Sequence, residues 1–171
     1  MSSEALSKKV FHMLSGERLS LGEVALEIKH YIGVHPEASY EIVIGSDSQA
    51  ALSGSAIFAT AVVVRRIGNG GIHFWMSQES RFFGLKDRIW REAMLSITLA
   101  QEFRTVLKEV LGEEMFWDDK LFFSCIHLDI GRDGPTRDLI DGIAGMVKGY
   151  GFEPVIKPFA YGASVVADRH T

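Results

Sequence analysis

Two short apolar runs, each ending at an aspartate, are the feature that most constrains the fold of this chain. The first run occupies residues 42–46 and ends at Asp47, and the second occupies residues 121–128 and ends at Asp129. A continuous apolar run that stops at a turn residue is typical of a strand buried on both faces of a parallel sheet. Open α/β folds bind ligands at the carboxyl ends of such strands. Aspartate is also a common turn residue, but its occurrence after both strands predicts a paired-carboxylate site for a hard cation.

Length, composition and charge limit the class of protein. With 171 residues, of which 47% are hydrophobic, the chain is expected to form a single globular domain over residues 1–171. The formal net charge of −4 gives no overall attraction to phosphate backbones, so any nucleic-acid contact must depend on a local basic patch. The single cysteine, Cys125, excludes disulfides within the chain and cysteine-based zinc sites. No signal peptide or membrane-spanning run is visible, so a cytoplasmic location is expected.

The order of predicted elements indicates an α/β fold. Residues 1–38 are expected to form an N-terminal helical extension, in which Ser20 and Glu23 make a capping box. Residues 68–71 form a Gly/Asn turn between two β-prone runs, and a long helix is predicted from Leu85 to Leu111. After the N-terminal helix the order is β-β-β-α-β-α-β-α. This succession resembles the ribonuclease H-like fold and predicts a five-stranded mixed sheet with Asp47 and Asp129 side by side.

The long helix supplies a third acid. Glu92 lies seven residues from both Leu85 and Leu99, so it belongs to a column of side chains that points inward. An inward glutamate destabilises the fold unless a partner or an ion meets it. The alternative is an ordinary salt bridge to Arg88 on the same helix. Asp168, near the end of the chain, is a fourth acid whose position alone predicts little.

Three segments resemble the YkuK-like family of the ribonuclease H-like superfamily. They are Gly-Ser-Asp-Ser-Gln at 45–49, His-Leu-Asp-Ile-Gly at 127–131 and the terminal Ala-Ser-Val-Val-Ala-Asp-Arg-His-Thr at 163–171. The resemblance extends from about Leu19 to the end of the chain. It implies four acids that bind metal and act in catalysis, one each from the first strand, the first long helix, the fourth strand and the last helix. By position these are Asp47, Glu92, Asp129 and Asp168.

The resemblance further implies a nuclease that uses Mg²⁺ or Mn²⁺. Converging carboxylates repel one another and burial raises their pKa values, and divalent cations relieve both effects. Two ions about 3.5–4 Å apart can activate water and stabilise the leaving oxygen of a phosphodiester. His170 is expected to relay a proton or to help the product leave if it reaches the site, and the substrate is expected to be RNA, an RNA–DNA hybrid or branched DNA. The residues expected to contact the substrate are Ser48, Gln49, Arg132, Lys157 and Arg169.

Two other functions are compatible with the sequence. One is a catalytically silent nucleic-acid-binding or adaptor domain, and the other is a sugar-kinase or actin-like phosphotransferase, although that fold needs two such domains. Metal binding separates the nuclease from the adaptor. His127 points to the same face as Asp129, but it is expected to be a buried histidine rather than a metal ligand. The actual substrate and the oligomeric state stay open.

Overall fold

The computed structural model describes residues 9–51 and 54–171 and contains one mixed sheet flanked by helices. The strands are β1 (Phe11–His12), β2 (Arg18–Leu19), β3 (Tyr40–Ala50), β4 (Ser55–Arg66), β5 (Gly71–Arg81), β6 (Leu121–Leu128) and β7 (Glu153–Val155). The α-helices are α1 (Leu21–Val34), α2 (Leu85–Leu111), α3 (Glu113–Phe116) and α4 (Ile140–Gly149). Shorter helical turns cover Arg137–Leu139, Gly162–Ala167 and Asp168–His170.

The sheet order is β2-β1-β5-β4-β3-β6-β7, which places β3 near the centre. β3 is antiparallel to β4 and parallel to β6, as the predicted succession requires. In the parallel pair Ser46 is opposite Leu128, so the next residues, Asp47 and Asp129, lie at the same end of the sheet. We call this end the carboxylate rim. The predicted α/β class and mixed sheet are therefore confirmed.

The number of strands differs from the prediction, because the sheet has seven strands rather than five. The two additional strands, β1 and β2, are only two residues long and lie within residues 1–38, so this extension is not entirely helical. β1 joins the sheet through the pair His12 and Trp75 on β5. Two-residue strands show no alternation in sequence, so pairing with a distant strand, rather than a local pattern, determines them. The capping box of α1 is present as predicted, with Ser20 and Glu23 each bonding the other's backbone N–H.

One face of the sheet, which we call the helix-covered face, carries the main hydrophobic core. Large buried side chains of α1, α2 and α4, such as Ile28, Phe103 and Ile143, belong to one cluster with Ile44 and Phe74 of the sheet. The helix α2 has the predicted limits, and its buried residues recur at three- and four-residue intervals as expected for an amphipathic helix. In the described part of the chain, no helix combines the length and apolar character needed to cross a membrane.

The opposite face is covered by residues 159–171, which we call the C-terminal segment. Here the buried cluster is small and includes Val43, Ala61 and Ala167. A Cβ atom added to Gly45 would lie only 2.6 Å from the backbone N of Ala163. The close approach of the C-terminal segment to β3 therefore requires glycine at position 45.

Candidate active site

Asp47 lies at the carboxylate rim with other acids around it. The pKa of its carboxyl group is raised to about 7, mainly by burial and next by the negative charge of Asp129. A hydrogen bond with the Asp168 carboxyl group and the charge of Asp168 act in the same direction, whereas the Ser48 backbone N–H lowers the pKa. Asp129 and Asp168 therefore both lie close enough to Asp47 to act on its carboxyl group.

Glu92 reaches the same place from the helix-covered face. Glu92 is only 4% exposed, and the Ser48 hydroxyl group donates a hydrogen bond of 2.5 Å to its Oε1. Burial is the main reason that the pKa of Glu92 rises to about 8; the negative charges of Asp47 and Asp129 also raise it. The Ser48 hydrogen bond and the charge of Arg88 act in the opposite direction. At neutral pH the protonated form of Glu92 is therefore favoured.

The alternative salt bridge between Glu92 and Arg88 is absent from the ion pairs of the described residues. The Arg88 guanidinium carbon lies 5.8 Å from the centre of the Phe82 ring. Its Nε is buried and has no hydrogen-bond partner in the described part of the chain. Arg88 thus acts on Glu92 only as a nearby positive charge, and not through the salt bridge that was the alternative interpretation of the sequence.

Asp129 is paired with a lysine from the loop after β7. Lys157 Nζ lies 2.9 Å from Asp129 Oδ1, and the backbone N–H of Lys157 donates to the carbonyl of Ile130 over 2.9 Å. Asp129 Oδ1 is itself buried and receives no hydrogen bond of suitable angle from the described residues. Lys157 therefore places a positive charge against Asp129, a contact that the sequence did not indicate.

The C-terminal segment holds Asp168 at the rim and His170 on β5. The ring of His170 stacks on Trp75 with a centroid distance of 3.7 Å and an interplanar angle of 6°. Its Nε2 lies 3.3 Å from Nε2 of His73, and Ser77 donates its hydroxyl hydrogen to the His170 carbonyl. The ring contacts of His170 therefore lie along β5 instead of among the acids. Its predicted role as a proton relay stays a prediction.

His127 anchors the C-terminal segment. Its ring is buried beneath this segment, and its Nδ1 accepts a hydrogen bond from the backbone N–H of Gly162 over 2.9 Å. Burial lowers the pKa of His127 to about 4, so the ring is neutral at physiological pH and Nδ1 is free to accept. This arrangement agrees with the expectation of a buried histidine. The sequence alone did not reveal that it fixes the segment carrying Asp168.

The chain is also similar to known proteins. A family model described as Ribonuclease H-like matches residues 23–171. The chain belongs to this family. It is 30% identical over 172 aligned positions to Uncharacterized protein YkuK of Bacillus subtilis (strain 168), covering 95% of this chain and 96% of that protein. The YkuK-like resemblance is therefore confirmed, whereas no solved structure matches the chain.

The remaining predicted substrate contacts differ in exposure. Gln49, Arg132 and Arg169 are exposed, and each follows one of the predicted acids by one to three residues. Ser48, in contrast, is buried and is already bonded to Glu92, so the structure gives it a positioning contact. Beside it, Ser46 bonds both Thr60 on β4 and Ser96 on α2 over 2.8 Å. Buried hydroxyl groups thus connect the central strands to the helix that carries Glu92.

The donor atoms of the four acids are of the type that binds a hard divalent cation. All of their donor atoms are carboxylate oxygens, which Mg²⁺ and Mn²⁺ prefer. Two of the acids are held in environments that favour a proton, and a cation can replace that proton. Residues 9–51 and 54–171 contain no group of three or more Asp, Glu, His or Cys arranged to hold an ion.

Proposed function

We propose that this protein is a divalent-metal-dependent nuclease that hydrolyses phosphodiester bonds in RNA or structured nucleic acid by a two-metal mechanism. One observation carries the proposal: carboxyl groups from four separate elements act on one another at a single rim. Two of them, Asp47 and Glu92, have pKa values raised to about 7 and 8. A fold that gathers acids where they destabilise one another is typical of a site that uses their charge.

The proposed roles follow from the position of each acid. Asp47 is the central ligand because it is influenced by Asp129 and Asp168 and itself acts on Glu92. Glu92 and Asp129 complete one side of the site and Asp168 the other. Bound Mg²⁺ or Mn²⁺ supplies charge neutralisation, a more acidic water and stabilisation of the leaving oxygen.

Other residues prepare this site. Ser48 orients the Glu92 carboxyl group through its hydroxyl, and His127 holds the backbone of the segment that presents Asp168. Because metal must displace the protons favoured by burial, its affinity is expected to rise with pH through the range of about 7 to 8.

A second candidate is a nucleic-acid-binding domain that turns over nothing. It is favoured by the absence of a preformed three-donor group in the described residues and by the Lys157–Asp129 ion pair, which already neutralises one acid. This candidate requires no metal. Metal binding and cleavage therefore distinguish the two functions.

The test is a cleavage panel of single-stranded RNA, RNA–DNA hybrid, branched DNA and single-stranded DNA, each with Mg²⁺, Mn²⁺ or EDTA. We expect metal-dependent cleavage that Asp47→Asn lowers at least about a hundredfold, the upper end for residues that only support metal ligands. The matched control is Asp119→Asn, which makes the same change at an exposed aspartate before β6, at its opposite end from Asp129.

Thermal unfolding provides an independent readout. Metal at a hundred times its Kd is expected to stabilise the wild type by about 2.7 kcal/mol, and Asp47→Asn should abolish this shift. An unchanged metal response in both Asp47→Asn and Asp129→Asn would place the ion elsewhere. If the wild type shows neither cleavage nor a metal-dependent change in melting temperature, the nuclease function is rejected and the nucleic-acid-binding domain remains as the candidate.

A further inference from the structure

A cleft of about 720 Å³ opens beside Asp129. It lies between residues 131–133, which follow β6, and residues 156–159, which follow β7. Lys157 lines the cleft and also pairs with Asp129, so the cleft is continuous with the carboxylate rim. A ligand lying in it would pass directly next to one of the four acids.

The wall of the cleft presents an aromatic ring to solvent. Phe159 is 74% exposed although the ring is large and apolar. A tight turn holds its backbone, since its N–H donates to the Ile156 carbonyl and its own carbonyl accepts from the Tyr161 N–H, both over 3.0 Å. The turn therefore holds the backbone of Phe159 in place, and its ring lies outside the core. An exposed aromatic ring provides a surface on which a planar base can stack.

The charge of the cleft limits the ligands that it can bind. Arg132 and Lys157 are its cations and Asp133 is its acid, while the whole chain has a net charge of −4. Lys157 is already paired with Asp129, whereas Arg132 makes no ion pair with the described residues. Binding to a duplex through its phosphates depends on many basic side chains, and this cleft has two, one of which is already paired. Stacking on an aromatic ring needs fewer charges but requires an unpaired base.

We infer that this cleft binds single-stranded nucleic acid, with an unpaired base stacked on Phe159 and a neighbouring phosphate held by Arg132. The inference rests on the proposed function for its class of substrate. It narrows that class from nucleic acid in general to strands, loops or ends whose bases are accessible. Binding itself does not require cleavage, so the two proposals can fail separately.

The experiment measures fluorescence anisotropy of labelled strands of roughly 12 nucleotides, within the range that single-strand sites cover. Single-stranded RNA, single-stranded DNA of the same sequence and the hybrid duplex of the two are compared at low salt in EDTA. The measurements are repeated with Mg²⁺ in an Asp47→Asn background, in which the strands survive. The variants are Phe159→Ala and Phe159→Trp. Phe122→Ala is the control. Phe122 is also an exposed phenylalanine, at 47%, but it lies at the start of β6, away from the end that leads to Asp129.

We expect Phe159→Ala to weaken single-strand binding about 5- to 150-fold, which corresponds to about 1–3 kcal/mol for one stacked base. Phe159→Trp should retain the affinity, and Phe122→Ala should behave as the wild type. The hybrid duplex should bind more weakly than either strand and should not respond to position 159. Tight binding of RNA alone would identify recognition of the 2′-hydroxyl, and equal binding of RNA and DNA would identify stacking; both support the cleft.

The inference is overturned if Phe159→Ala binds single strands as the wild type does, if Phe122→Ala loses as much, or if the duplex binds best. If the protein cleaves nucleic acid with metal but Phe159→Ala binds single strands normally, the proposed nuclease function stands and the proposed binding in the cleft is rejected. If Phe159→Ala loses single-strand binding but the wild type cleaves no substrate, the proposed binding in the cleft stands and the proposed nuclease function is rejected. Both variants are expected to fold, because Phe159 contributes little buried surface.

Discussion

The two faces of the sheet are covered by different kinds of structure. Long helices bury large side chains such as Phe103 and Ile143 on the helix-covered face. The C-terminal segment instead approaches the other face through its backbone, with Ala163 against Gly45 and Gly162 bonded to His127. The first covering depends on a large buried apolar area, and the second depends on close fit and a few specific contacts.

The candidate site needs both coverings. Glu92 comes from a helix on the helix-covered face, and Asp168 comes from the C-terminal segment on the other face. Asp47 and Asp129 stand between them at the ends of β3 and β6. The stability of the chain and the completeness of its site therefore depend on different parts of the molecule. Substitutions that disturb the C-terminal segment should therefore affect the candidate site more than they affect the hydrophobic core.

The largest effect is expected from Gly45→Ala, which should lower the free energy of unfolding by about 1–3 kcal/mol. The added methyl group would lie 2.6 Å from the Ala163 nitrogen and 2.8 Å from the Gly162 carbonyl carbon, so backbone must move. Urea denaturation measures the change in stability, and cleavage assays measure the displacement of Asp168.

The matched control is Gly145→Ala in α4, where no atom lies within 4 Å of the added Cβ. Here the same change should stabilise the protein by about 0.5–1 kcal/mol, because alanine favours the helix interior over glycine. Equal stability of the Gly45→Ala variant and the wild type would show that the C-terminal segment does not fit closely against β3.

The helix-covered face was largely predictable from sequence because its signals are local. The limits of α2, the inward position of Glu92 and the capping box at Ser20 each follow from residues a few positions apart. The strands bearing Asp47 and Asp129 were also identified, since buried strands are nearly continuous apolar runs.

The other face was less predictable because its contacts join distant residues. The hydrogen bond between His127 and Gly162 joins residues 35 positions apart, and no local sequence pattern predicts it. The glycine within the first apolar run, Gly45, was a usable signal, because glycine inside a strand often marks close approach of another backbone. The pairing of Lys157 with Asp129 required the structure, since the sequence indicated only a basic residue near the rim.

An intermediate effect is expected from Glu92→Gln in EDTA. The pKa of Glu92 is about 8 in the folded protein and near the ordinary value of 4.5 when unfolded. Its stabilising contribution is therefore present below about pH 4.5 and is lost as the pH rises through 8. Glutamine cannot ionise, yet its oxygen can still accept the Ser48 hydroxyl hydrogen.

The Glu92→Gln variant should thus exceed the wild type in unfolding free energy by at least about 1 kcal/mol at pH 8, since one pKa unit corresponds to about 1.4 kcal/mol. The difference should shrink towards pH 5, and metal-dependent cleavage should be lost. Glu109→Gln, at an exposed glutamate of the same helix, is the control and should change little. Destabilisation of Glu92→Gln by more than about 1 kcal/mol at pH 8 would make Glu92 a structural partner instead of a strained acid.

The smallest effect is expected from Lys157→Met, which tests whether the lysine occupies the place of a cation beside Asp129. Its ammonium lies 2.9 Å from Asp129 Oδ1 and repels any metal ion that approaches the same oxygen. Removing this charge should tighten Mg²⁺ binding about two- to fivefold, because the lysine is nearly half exposed and such pairs contribute up to about 1 kcal/mol. The midpoint of a Mg²⁺ titration followed by thermal unfolding measures the change. Lys120→Met, at an exposed lysine beside the start of β6, should leave the midpoint unchanged. Weaker Mg²⁺ binding by Lys157→Met would instead mean that the lysine positions Asp129 for the metal.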